Sequence, residues 1–226
     1  MTFGGIQKLT LLDYPGKVAC TVFTVGCNFR CPFCHNGSLV EGAPIETISE
    51  EVVLDLLTKR KGILEGVCIT GGEPLLQPEL PDFLRRVKAL GYPVKLDTNG
   101  SFPEKLKALV AEGLVDYVAM DLKNAPARYA ETAGVETPNV DESIDFLLSG
   151  EVDYEFRTTV VAEYHTVADI EAAAKRISGA KRYFLQNFVE SEFVLQPGLS
   201  ACTRETLEEM KKAASQYVAD VSLRGV

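Results

Sequence analysis

Short apolar runs rich in β-branched residues alternate along this chain with stretches whose apolar residues recur at helical spacing, and that alternation most limits the folds open to it. The runs cover residues 18–25, 66–70, 94–96, 115–120, 154–161 and 181–186. Ser49, followed by Glu50 and Glu51, opens a helix that carries Val52, Val53, Leu56 and Leu57 on one face. Further helices are expected over 78–90, 103–112, 140–148, 166–178 and 203–219. Strands separated by helices read as crossover units, so six of them imply a parallel sheet. A chain of 226 residues is too short for eight units. The expected fold is therefore α/β, a partial (β/α)6 barrel, in a single domain over 1–226.

Residues 3–17 alternate apolar and polar positions and end in the turn signal Tyr14-Pro15-Gly16, so they should form a strand or hairpin leading into the first run. In such sheets ligands gather at the C-terminal ends of the strands, and polar or glycine-rich tips stand at those places. Cys27, Cys31 and Cys34 follow the first run, and Gly71-Gly72-Glu73-Pro74 the second. Asp97-Thr98-Asn99-Gly100 ends the third, and Asp121-Leu122-Lys123 the fourth.

Three cysteines at C-x3-C-x2-C spacing are chemically specific. Two would suggest a redox pair and four a closed metal site, whereas three thiolates can hold a [4Fe–4S] cluster and leave one iron open to a ligand. A structural zinc site completed by His35 is the competing reading, disfavoured because His35 directly follows Cys34. Phe33 could lay its ring against a bound base. Gly71 and Gly72 let backbone pass close to a ligand, and the Glu73 carboxylate can accept from an ammonium group. Asp97, Thr98 and Asn99 suit ribose hydroxyls or an ordinary Asx turn. Asp121 and Lys123, two apart on a strand, point to one side as a joint site or a salt bridge. Arg157 interrupts its strand as an inward charge in need of an anion, either a ligand or a core acid such as Asp121.

Cys27, Cys31, Phe33 and Cys34 resemble the C-x3-C-x-aromatic-C signature of the radical S-adenosylmethionine (SAM) superfamily. Cys34-His35-Asn36, with Gly4-Gly5-Ile6-Gln7-Lys8 through Asp13-Tyr14-Pro15-Gly16, looks more narrowly like the activating proteins of anaerobic ribonucleoside-triphosphate reductases. The pyruvate formate-lyase activases are similar too. The resemblance implies a partial barrel with a [4Fe–4S] cluster on Cys27, Cys31 and Cys34, and SAM held by Gly71, Gly72 and Glu73 at its amine. Phe33, His35, Asp97, Asn99, Asp121, Lys123 and Arg157 would complete the SAM site, and Asp97, Thr98, Met120 and Asp121 would surround a monovalent cation. It also implies reductive cleavage of SAM and removal of a glycine Cα hydrogen from a partner glycyl radical enzyme, with electrons from a flavodoxin or ferredoxin-like donor. In one respect the chain departs from the pattern. Pyruvate formate-lyase activases often carry a histidine after the last strand, where this chain has Gln186-Asn187-Phe188. A radical SAM enzyme acting on a small purine-like molecule shares every motif up to SAM, and a zinc-stabilised interaction module is the non-enzymatic alternative.

A formal charge of −9 and a pI near 4.9 argue against a large nucleic-acid surface. No apolar run approaches a membrane span and no secretory pattern opens the chain, which makes the cytoplasm the expected location. Cys20, Cys68 and Cys202 stand singly, as reduced packing or surface residues do. Residues 124–138 form the longest irregular stretch, a candidate partner contact. His165 falls in a strand-to-helix connection and reads as a surface turn.

Overall fold

The computed structural model describes residues 1–40, 46–136 and 139–225. Its strands are β1 (Thr2–Thr10), β2 (Ala19–Thr24), β3 (Ile48–Ser49), β4 (Gly66–Gly71), β5 (Val94–Thr98), β6 (Tyr117–Asp121), β7 (Asp153–Val160), β8 (Arg182–Asn187) and β9 (Asp220–Arg224). They form one open sheet in the order β3-β1-β2-β4-β5-β6-β7-β8-β9. From β2 to β9 every neighbouring pair is parallel, while β1 runs antiparallel to both β2 and β3. The helices are α1 (Gly37–Val40), α2 (Glu50–Lys59), α3 (Leu80–Ala89), α4 (Pro103–Ala111), α5 (Tyr129–Ala133), α6 (Asp141–Ser149), α7 (Val167–Arg176) and α8 (Arg204–Ala214). Six parallel strands thus each lead to a helix, and the fold is the expected α/β partial barrel.

The two faces of the sheet differ in chemistry, as the period of two along each strand requires. Val67, Ile69, Val94, Leu96, Val118, Met120, Phe156 and Leu185 are fully buried in the main hydrophobic cluster with the helices. Their neighbours on the other face are Cys68, Lys95, Asp97, Tyr117, Asp121, Glu155, Arg157 and Gln186, so the barrel interior is polar. Its floor is closed by the N-terminal turn: Tyr14 is buried with Ala19 and Tyr117 in a separate small cluster, the two rings 6.1 Å apart.

Three expectations need correction. Part of 124–138 is ordered as a short 3-10 turn (Pro126–Arg128) followed by α5; residues 137 and 138 lie outside the described residues. The last helix stops at Ala214, and the chain then supplies a seventh parallel strand, β9. His165 is no surface turn. It is 3 % exposed, with Nδ1 accepting from the Val161 amide (3.1 Å) and Nε2 donating to the Lys123 carbonyl (2.9 Å), so local backbone satisfies the buried ring. No helix among the described residues is long and apolar enough to cross a membrane.

Candidate functional site

The loop after β2 turns at Gly26, whose positive φ of 87° suits glycine. It is fastened by chain from distant parts of the sequence. Arg30 N donates to Ala133 O (2.8 Å), Gln196 N to Pro32 O (2.9 Å) and Gly37 N to Phe193 O (3.2 Å). Cys27, Cys31 and Cys34 are free thiols on the wall of a cavity of about 290 Å3 at the C-terminal ends of the strands. Burial pushes all three thiols up, Cys31 to about 12, so a metal that takes them as thiolates must displace protons. Three soft sulfur donors on the wall of one cavity suit an iron–sulfur group.

Gly71 and Gly72 border the same cavity. A Cβ on Gly71 would lie 2.4 Å from Thr24 N, and one on Gly72 would lie 1.9 Å from Gly26 O. Glycine is needed here because the end of β4 passes directly against the cysteine loop. The Glu73 amide completes that contact by donating to Gly26 O (2.9 Å).

The Glu73 side chain is placed differently from the sequence expectation. It is fully buried, and its carboxylate accepts from Leu75 N (3.0 Å), Thr98 Oγ1 (2.8 Å) and Asn99 N (2.7 Å). Those oxygens join the tips of β4 and β5 rather than facing a ligand amine. Burial pushes this carboxyl up to about 7 despite the three donors. The folded chain therefore holds this proton more tightly than the unfolded one, so the contribution of Glu73 to stability is fully present below pH 4.5 and is lost as pH rises through 7. Wild type should lose about 2 kcal/mol relative to Glu73→Gln across that window, measured by urea unfolding. A flat difference would show an ionised Glu73 throughout.

Asn99 ties β5 to the cysteine loop through Nδ2 to Asn28 Oδ1 (2.9 Å) and lies 3.9 Å from Cys27 Sγ. Next to it runs a chain of alternating charges along the barrel interior. Lys95 pairs with Asp97, Arg157 reaches Asp97 (3.1 Å) and Asp121 (3.0 Å), and Lys123 meets Asp121 (3.0 Å). Burial pushes both acids up, but Arg157 with Lys95 holds Asp97 low, and Arg157 with Lys123 holds Asp121 down at about 2. The side chains of the four residues expected around a monovalent cation make contacts within the fold. Arg157 already bridges the two carboxylates, Thr98 is engaged with Glu73, and Met120 is fully buried with its side chain turned toward Gly100.

Phe33 borders the cavity, with its ring beside Tyr164 (6.0 Å) and edge-on to His165 (5.8 Å). His35 donates Nε2 to Val189 O (2.7 Å) and lies beside Phe188, tying the cysteine loop to the segment after β8. In the segment where pyruvate formate-lyase activases often carry a histidine, Asn187 exchanges hydrogen bonds with Cys202 backbone and Gln186 faces the cavity. Sequence reasoning missed Lys95 and Asp13. The signal for Lys95 was a single charge between Val94 and Leu96, the pattern that marks Arg157 in its own strand. Asp13 borders the cavity and accepts from Thr21.

Comparison with known proteins places this architecture among enzymes that work at an iron–sulfur centre. The description of the radical SAM superfamily matches residues 21–177. A Methanocaldococcus jannaschii protein, named provisionally as a glycyl-radical enzyme activating enzyme, is 33 % identical over 98 % of this chain and 95 % of its own length. The pyruvate formate-lyase-activating enzyme of Clostridium pasteurianum is 34 % identical over 53 % of this chain and 51 % of its own. The 7-carboxy-7-deazaguanine synthase of Methanopyrus kandleri is 30 % identical over 76 % and 73 %. Among solved structures, Streptococcus suis SuiB bound to S-adenosylmethionine superposes with a TM-score of 0.70 at 14 % identity, over 89 % of this chain and 48 % of SuiB.

The chain belongs to the radical SAM superfamily and, within it, to the family of glycyl-radical enzyme activating enzymes. Its cofactors are accordingly a [4Fe–4S] cluster and SAM.

Proposed function

We propose that this protein installs a glycyl radical on a partner enzyme, and that the partner is an anaerobic ribonucleoside-triphosphate reductase. The match to a glycyl-radical enzyme activating enzyme over nearly the whole chain carries the reading. The N-terminal segment supports the choice of partner: residues 4–16 bear the likeness to the reductase activators, and in the fold Asp13 borders the cavity while Tyr14 closes the floor of the barrel beneath it. The open sheet supports a protein substrate, since its described edges, β3 with β1 on one side and β9 on the other, leave a lateral entrance for a peptide loop.

When bound, the cluster and SAM supply one-electron reductive cleavage of the sulfonium and removal of a hydrogen atom from the substrate glycine, with the electron from a reduced flavodoxin or ferredoxin-like donor. Cys27, Cys31 and Cys34 would hold the cluster. The backbone of Gly71 and Gly72 would lie along the methionine part of SAM, and Lys123 and Arg157 would oppose its carboxylate. Asp97 and Asn99 would take the ribose, while Phe33 and His35 wall the adenine side. Asp121 keeps Lys123 and Arg157 charged and in place. No general base is needed, and the work of the chain is positioning and exclusion of water. We place the enzyme in the cytoplasm, where Cys20, Cys68 and Cys202 stay reduced.

Anaerobically reconstituted protein, mixed with SAM, reductant and the host's anaerobic reductase, should give a glycyl radical signal by electron paramagnetic resonance. Silence with the reductase but signal with another glycyl radical enzyme would move the partner; silence with all would remove the reading. A second reading, chemistry on a small purine-like molecule, is favoured by the match to a 7-carboxy-7-deazaguanine synthase. Product formation from such a substrate, without a protein partner, would establish it.

A further inference from the structure

The cavity residues assigned above to the cluster and SAM come chiefly from β2, β4, β5 and β6 and the loops that follow them. Two uncharged polar side chains border the same cavity from the other side, Thr159 on β7 and Gln186 on β8. They are direct partners in the parallel ladder, and β8 is separated from the open end of the sheet by β9 alone. The inward residues one step deeper on each strand are engaged with their own chain. Arg157 pairs with Asp97 and Asp121, and Phe184 lies under the Arg224 guanidinium at 3.5 Å. Neither the Thr159 hydroxyl nor the Gln186 amide has a hydrogen-bond partner among the described residues, although the adjacent Thr158 and Asn187 are both bonded within the fold.

From this placement, and resting on the function proposed above, we propose that Thr159 and Gln186 form the subsite that grips the substrate's main chain beside the target glycine. A primary amide presents a donor and an acceptor in one plane, which complements the N–H and C=O of an extended peptide, and a neighbouring hydroxyl adds a group that serves either role. A glycine has no side chain to hold, so its position must be fixed through flanking peptide groups. The pair is neutral and stands beyond the charged row of Asp97, Asp121, Lys123 and Arg157 that borders the same cavity, which fits a peptide group better than a charged substrate. Its position between the cofactor residues and the lateral opening is where an incoming loop would first meet polar contacts.

Gln186→Ala and Thr159→Val, prepared as cluster-loaded enzyme, test this with the host's glycyl radical enzyme. Gln186→Ala should raise KM for the partner about tenfold, the size of effect expected for losing a neutral hydrogen bond, with kcat within about twofold. Thr159→Val should do the same more weakly, and Gln186→Asn should recover part of the loss. The partner's Kd, measured by calorimetry without turnover, should weaken in parallel, while the Kd for SAM stays unchanged. An unmoved partner KM overturns the proposal, and so does a change confined to SAM binding, which would assign the amide to the adenine. A wild-type enzyme that forms no glycyl radical on any partner would instead defeat the functional reading itself.

Discussion

Cys31→Ala is expected to reduce SAM cleavage to background in anaerobically reconstituted protein, while the apo chain keeps its fold. Cys31 borders the cavity at 7 % exposure, and its amide-to-carbonyl surroundings are made by backbone: Cys34 N donates to Cys31 O (3.0 Å), and Arg30 N, just before it, holds Ala133 O. Losing the thiol removes a cluster donor but little packing, about 1 kcal/mol or a few degrees of midpoint for a chain of this size. Cys20→Ala is the matched control. Cys20 is a fully buried strand residue whose thiol burial pushes up to about 12, and it lies in the apolar cluster rather than the cavity. That variant should show a similar small loss of stability with full iron content and full cleavage. Iron and sulfide analysis with circular dichroism separates the two; cleavage retained by Cys31→Ala would contradict the ligand assignment.

Arg157→Leu should be the most damaging single change to stability among the charged residues of the site. The guanidinium serves Asp97 and Asp121 together, and both acids are held well ionised by it. Without it two carboxylates face one another in the barrel with Lys95 and Lys123 at the ends of the row. Removing one partner from a buried ion pair costs about 3–5 kcal/mol, and residual exposure of Arg157 puts the expected loss near the lower figure, ~3 kcal/mol. Urea unfolding of the apo protein measures it. A loss below ~1 kcal/mol would show that solvent already screens the row.

The strand tips were legible because each couples two signals, a β-branched run and an abrupt change to glycine or polar residues. Gly71-Gly72 and Asp121-Leu122-Lys123 are examples, and the structure brings both to one cavity. What the tips do was less legible. Glu73 looks like a ligand residue in sequence, yet its oxygens meet Thr98 and Asn99, twenty-five and twenty-six positions away, and no local pattern announces such partners. The five-residue helix α5 is too short to register as a period and stands on tertiary contacts. β9 was hidden because five residues after a long helical pattern carry little strand signal of their own, and pairing with β8 defines it. His165 was misread because its partners, the Lys123 carbonyl and the Val161 amide, are backbone groups that any sequence would offer.

The fastening of the cysteine loop has a bearing on biogenesis. All three sulfur donors are translated before the carbonyl of Ala133 and the stretch from Phe193 to Gln196 that brace their loop. The thiols therefore exist before the seat that shapes them, and that seat is complete only once the later segments have folded back onto the loop.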